Sequence, residues 1–179
     1  MKVTFIIFSV LLFIYMMWPQ PQQIYQFNPL PSSVKSDLAG DTWQIPNVAA
    51  YFSNKYRAFS IKFYQNNFWN LVKLPFPPYR LNYPPEYSFI AIKKHTDTTY
   101  LEELVYPLKE SLYVNGFEPF YENGQPKYWG APRFNVEGKT WDTKVTLRLY
   151  SSTFYIRLIV FLGIISSIFL LFKLSKRIL

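Results

Sequence analysis

At 179 residues, the chain holds one domain's worth of residues once two apolar end segments are set aside. Half of its residues are apolar and 21% are aromatic, and the aromatics run through the middle of the chain, which excludes a disordered tether. There is no cysteine, which excludes disulfides, thiolate metal sites and cysteine nucleophiles, and the net charge of +8 needs its distribution examined before it implies a partner.

That charge sits mostly at the ends. Lys2, Arg157, Lys173, Lys176 and Arg177 have no acid to offset them, whereas the other fourteen basic residues face eleven acidic ones. Basic residues flanking apolar segments are a topology signal, and they do not form a nucleic-acid footprint.

Residues 1–18 read as an N-terminal transmembrane anchor. Lys2 precedes an apolar run from Val3 to Trp18, short for a span but long enough if Lys2 snorkels. A cleaved signal peptide is the competing reading, and Tyr15-Met16-Met17-Trp18-Pro19 offers bulky residues where cleavage needs small ones. Residues 19–41 hold Pro19, Pro21, Pro29 and Pro31 among glutamines, as in an extended stalk or a strap along the domain.

The domain proper is expected over 42–150. Alternation of Trp43 and Ile45 predicts a strand over Thr42 to Ile45, continuing extended to Phe52. Ser53 then stands as N-cap of a helix from Asn54 to Asn67, whose stripe of Tyr56, Phe59, Phe63 and Asn67, with Ser60 and Tyr64 alongside, is expected to face a sheet. The prolines from Pro75 to Pro85 predict a loop. Glu86 to Lys94 suits a short helix ending in Lys93-Lys94-His95.

Residues 98–116 are ambiguous. Leu101, Leu104, Val105, Leu108 and Leu112 keep helical spacing, yet Pro107 interrupts them, leaving a broken helix or two short strands. Phe117 to Tyr128 reads as a hairpin around Glu122-Asn123-Gly124. Phe134 to Tyr150 reads as a second hairpin around Gly138, with Val145, Leu147 and Leu149 on one strand face. Residues 153–173 form the second expected transmembrane helix, entered almost directly from that strand, and 174–179 a basic tail.

Three stretches resemble uncharacterised two-span membrane proteins of candidate-phylum bacteria: Leu30 to Lys35, Gly40 to Asn47, and Leu101 to Pro107 followed by Asn115 to Pro119. The resemblance implies a bacterial origin and this architecture. It carries no activity and no site residue.

Chemistry-bearing residues are sparse. His95 is a lone imidazole beside two lysines, which suits a surface or capping role better than a metal site. Glu102, Glu103, Glu110 and Glu118 are the only concentration of carboxylates. Adjacent Glu102 and Glu103 diverge on any regular element, so they do not form a catalytic pair across a cleft. Tyr128, Trp129, Trp141 and Tyr150 offer an aromatic face for glycan, or anchors at a membrane surface. Gly163 and Ser167 form a small-xxx-small pair suited to packing on the first span or on a membrane-protein partner. Arg157 is expected to snorkel to the outer interface beside Tyr155.

These readings predict an α+β fold: a small extracytoplasmic domain of antiparallel strands packed by one or two helices, between two transmembrane helices. By the positive-inside rule both termini are cytoplasmic. The function expected is that of a non-enzymatic envelope protein presenting an interaction domain, as a subunit or assembly factor of a membrane complex. The alternative is an envelope enzyme or binding module acting on lipid or glycan, with Glu102, Glu103 or His95 as its reactive groups. No catalytic, cofactor or metal residue is assigned, and the lipid bilayer is the one partner that composition itself implies.

Overall fold

The computed structural model describes residues 2–73, 79–82, 86–95 and 109–178. Its elements in chain order begin with helix α1 (Lys2–Met17) and the short strand β1 (Val34–Lys35), followed by β2 (Val48–Ser53) and helix α2 (Arg57–Val72). Then come β3 (Tyr79–Asn82), β4 (Ser111–Phe117), β5 (Phe134–Val136), β6 (Lys139–Trp141), β7 (Thr143–Tyr150) and helix α3 (Phe154–Ile178).

Five strands form one sheet in the order β1-β2-β7-β4-β3. All neighbours are antiparallel except β3 and β4, which run parallel. The centre is β7, the strand whose alternation is plainest in the sequence. Val145, Leu147 and Leu149 face the core, joined there by Ala49 and Tyr51 of β2 and by Leu112 and Val114 of β4. Helix α2 closes this face with Tyr64, Phe68 and Val72. The fold is thus α+β, with one helix packed on a largely antiparallel sheet.

The buried face of α2 is the expected one in part, turned from Phe59 toward the Ser60 and Tyr64 side. Ser60, Tyr64, Asn67, Phe68 and Val72 are buried, whereas Phe59 is 43% exposed. The helix carries aromatics on several sides, so its facing is free to rotate toward Phe68 and Val72 while keeping Ser60, Tyr64 and Asn67 buried and Phe63 partly buried against the core. The helix also begins later. Ser53 ends β2, and its hydroxyl accepts from the Lys55 amide (3.1 Å) one turn ahead of Arg57.

The first strand is displaced too. Residues 42–45 form turns and bends, Trp43 is 78% exposed, and the extended segment is Val48–Ser53. The proline-rich segment lies along the domain as a strap, burying Phe27 and Leu30 in the core, with Phe27 stacked on Phe68 at 5.8 Å.

Glu86–Ile90 is a short 3-10 helix. The ambiguous stretch resolves at its end: Ser111–Phe117 is strand, so Leu112 belongs to a sheet and not to a broken helix, while 96–108 lie outside the described residues. The turn at Glu122-Asn123-Gly124 holds one bridge, Phe120 to Pro126. The second hairpin splits at Asp142. β5 and β6 pair across Glu137 (φ 53°) and Gly138 (φ 71°), two positive-φ residues as a tight hairpin turn requires, and β7 joins the large sheet instead.

That small hairpin covers the sheet face opposite α2. Phe52, Lys144 and Phe117 stand side by side on β2, β7 and β4, and Phe134 of β5 packs over Phe52 at 5.0 Å and Phe117 at 6.1 Å.

Helix α3 is the one helix among the described residues long and apolar enough to cross a membrane, over Phe154–Lys176, and α1 is a shorter apolar helix. The two lie against each other, with Phe13 edge-on to Phe161 at 5.2 Å.

Candidate functional site

The densest chemistry lies where α1 ends, α3 begins and β4 starts. Lys109 and Glu110 immediately precede β4, and both are fully buried. Consecutive side chains entering a strand leave on opposite sides. Here each one meets a different apolar helix.

Lys109 reaches the end of α1. Its Nζ donates to the carbonyls of Tyr15 (2.8 Å) and Trp18 (2.9 Å) and lies 5.4 Å from the Tyr15 ring centre. A helix leaves its last carbonyls without intrahelical partners and carries partial negative charge there, so a buried ammonium is well placed. Next to it, the Trp18 indole N–H donates to the Val72 carbonyl at the end of α2 (3.0 Å).

Glu110 reaches the start of α3. Its Oε2 accepts from Arg157 Nη1 at 2.9 Å, and its Oε1 accepts from the Gln22 amide at 2.9 Å. The Gln20 amide, with its nitrogen turned inward, donates to the Glu110 carbonyl (3.0 Å) and to Oε2 (3.3 Å). A carboxylate beside the first turn of a helix also meets the positive end of its dipole. Arg157 is only 7% exposed, so it does not snorkel beside Tyr155, which is 76% exposed. It turns inward because a buried carboxylate is within reach.

Burial of the ammonium pushes the Lys109 pKa down to about 8. The neighbouring Glu110 charge opposes that shift and the Arg157 charge reinforces it. The folded protein therefore holds this proton less tightly than the unfolded chain, in which a lysine titrates near its ordinary value of about 10.4. Between those two values the unfolded chain binds more protons, so the contribution of Lys109 to stability rises with pH. The wild-type chain in detergent should gain thermal stability relative to Lys109→Met as pH is raised from 7.5 to 10. Parallel melting curves across that range would refute the assignment.

A second polar cluster lies on the other sheet face. Lys144 Nζ, 4% exposed, pairs with Asp41 Oδ2 at 2.7 Å, and the Ser36 hydroxyl donates to the same oxygen. His95 Nδ1 stands 3.4 Å from Lys144 Nζ, its ring against Phe134. His95 is therefore half-buried against a lysine from a distant strand, not a cap at a solvated helix end.

The third cluster is a cleft of about 320 Å³ bordered by Tyr56, Arg57, Glu118, Tyr121 and Lys127. Glu118 Oε2 lies 3.3 Å from Arg57 Nε and 3.6 Å from Lys127 Nζ. Burial, followed by the charge of Asp142, pushes the Tyr56 phenol up to about 12, so it remains a donor toward Asp142 (3.5 Å).

Of the carboxylates singled out in the sequence, Glu110 and Glu118 are held by cations in separate clusters, and Glu102 and Glu103 lie outside the described residues. Among the described residues no three His, Asp or Glu groups converge to hold a metal. The four expected surface aromatics do not share a face. Trp129 is 99% exposed, Trp141 is buried, the Tyr128 hydroxyl donates to the Lys93 carbonyl, and Tyr150 packs on Tyr113 at the far end of β7.

Gly163 and Ser167 are exposed, and a Cβ placed on Gly163 would meet no atom within 4 Å, so this pair does not form a seam with α1. What sequence reasoning missed is the role of Lys109-Glu110. The only signal was an adjacent pair of opposite charges at the edge of an apolar strand. No known protein family, curated protein or solved structure matches this chain.

Proposed function

We propose that this chain is a non-enzymatic envelope membrane protein, anchored by α1 and α3 with both termini cytoplasmic. In this reading the sheet domain is presented outward as an interaction domain, serving as a subunit or assembly factor of a membrane complex. The observation that carries it is the Lys109-Glu110 clamp. One dipeptide at the base of the sheet ties down the last turn of α1 and the first turn of α3, so the domain is set on its two apolar helices with little freedom to swing. A protein that only needed tethering would not bury three charges at that junction, where desolvation costs several kcal/mol per ion.

The positive-inside rule supports the orientation through Lys2, Lys173, Lys176 and Arg177 at the ends and the absence of Lys or Arg from Pro19 to Val34. The exposed Gly163 and Ser167 face of α3 supplies a surface on which a partner helix would pack closely.

Because the chain has no cysteine, single cysteines at Ser32 and Ser175 report topology cleanly. A membrane-impermeant thiol reagent applied to intact cells should label position 32 and spare position 175. The opposite pattern would invert the topology. Native mass measurement after mild detergent extraction tests the partner: a strict monomer with no co-purifying protein would count against an assembly role.

A further inference from the structure

A groove of about 790 Å³ runs between α1 and α3 at the end that carries both chain termini, a volume within the range of small-ligand sites. Its walls are Phe5 and Phe8 of α1 and Phe169 and Phe172 of α3, with Thr4 and Lys176 on the rim. Phe5 and Phe169 lie equally far along their helices from the Phe13–Phe161 contact, as antiparallel packing requires.

The two helices are unequal, at 16 and 25 residues, so at ~1.5 Å per residue the end of α3 overhangs the start of α1. The overhang carries Lys173, Lys176 and Arg177, and the Lys176 ammonium folds back to 4.8 Å from the Phe172 ring centre. An apolar trough therefore ends beneath a fixed positive charge, with no acidic residue anywhere in α1 or α3.

We infer that this groove is a binding site for one anionic phospholipid, with its acyl chains on the four phenylalanines and its phosphate against Lys176. Charge complementarity selects this occupant. A neutral apolar helix offers nothing to the Lys176 charge, whereas an anionic headgroup pairs with it at the depth where a lysine of a helix end lies. The inference rests on the reading of α1 and α3 as a membrane hairpin.

The test uses the full chain in nanodiscs of equal parts phosphatidylglycerol and phosphatidylcholine, released and weighed by native mass spectrometry. One phosphatidylglycerol should be retained per chain, favoured over phosphatidylcholine by about fivefold, the order expected for one lysine at a membrane surface. Lys176→Gln should bring retention to parity, and Thr4→Trp should abolish it by filling the groove, while Lys173→Gln leaves it unchanged.

Equal losses in Lys173→Gln and Lys176→Gln would mean diffuse attraction to the basic tail and would overturn the site. So would displacement by free glycerol phosphate, or a lipid-free dimer whose groove is filled by a second copy. Alkaline carbonate separates this from the parent reading. Release of the chain from membranes refutes the hairpin itself, whereas retention without lipid selectivity refutes only the lipid site.

Discussion

Replacing Glu110 with alanine should destabilise the domain by about 3–5 kcal/mol, because it leaves the Arg157 guanidinium buried without its counter-charge. The carboxylate is fully buried and takes hydrogen bonds on both oxygens, so truncation also strands the Gln22 amide. Arg157→Ala should cost a similar amount by leaving Glu110 charged and unpaired.

The double replacement Glu110→Leu with Arg157→Leu should recover most of the loss, since exchanging a whole buried pair for apolar residues is often neutral or stabilising. The measurement is thermal unfolding in detergent, followed by near-ultraviolet circular dichroism of the abundant aromatics, with the coupling read from the double-mutant cycle. Additive losses in the double variant would show that the two side chains do not form the pair described. If the double variant folds but labels differently in the cysteine assay, the pair would be setting the placement of α3 in addition to stability.

This clamp also shows where sequence reading stops. The central strand was legible because Val145, Leu147 and Leu149 alternate with Lys144, Thr146 and Arg148, and a strand with one wholly apolar face allows no other register. The small hairpin was legible at Gly138, where the chain needs a positive φ. Glu110 was illegible because a carboxylate near a strand edge reads as solvated, and only the return of α3 forty-odd residues later supplies its arginine.

The strand expected over Thr42 to Ile45 failed for the converse reason. Two alternating apolar residues are too few to fix a strand, and the hydrogen bonds from the Thr42 and Gln44 amides to the Ala39 carbonyl close a turn there instead. For α2 the difference was a partial rotation: Ser60, Tyr64 and Asn67 of the expected face are buried, and Phe59 is not. Its helical character followed from spacing, but its facing depended on which aromatics the strap and the sheet leave room for.

That dependence can be measured. Phe68→Ala should cost about 3–5 kcal/mol, the range for removing a fully buried phenylalanine from a packed core. Phe68 is 0% exposed and stacks on Phe27 of the strap, so its loss opens a cavity between α2, the sheet and the strap. Phe59→Ala, on the outward face, should fall within about 0.5–1 kcal/mol of wild type, as surface replacements usually do.

Phe27→Ala should destabilise strongly as well, and less than additively with Phe68→Ala, since the second truncation enlarges a cavity that already exists. Urea unfolding of wild type, the three single variants and the Phe27→Ala, Phe68→Ala double variant in the same detergent resolves these differences. Equal effects of Phe59→Ala and Phe68→Ala would return α2 to the Tyr56, Phe59 and Phe63 orientation. Strict additivity of Phe27→Ala and Phe68→Ala would detach the strap from the core and leave residues 19–41 as a stalk.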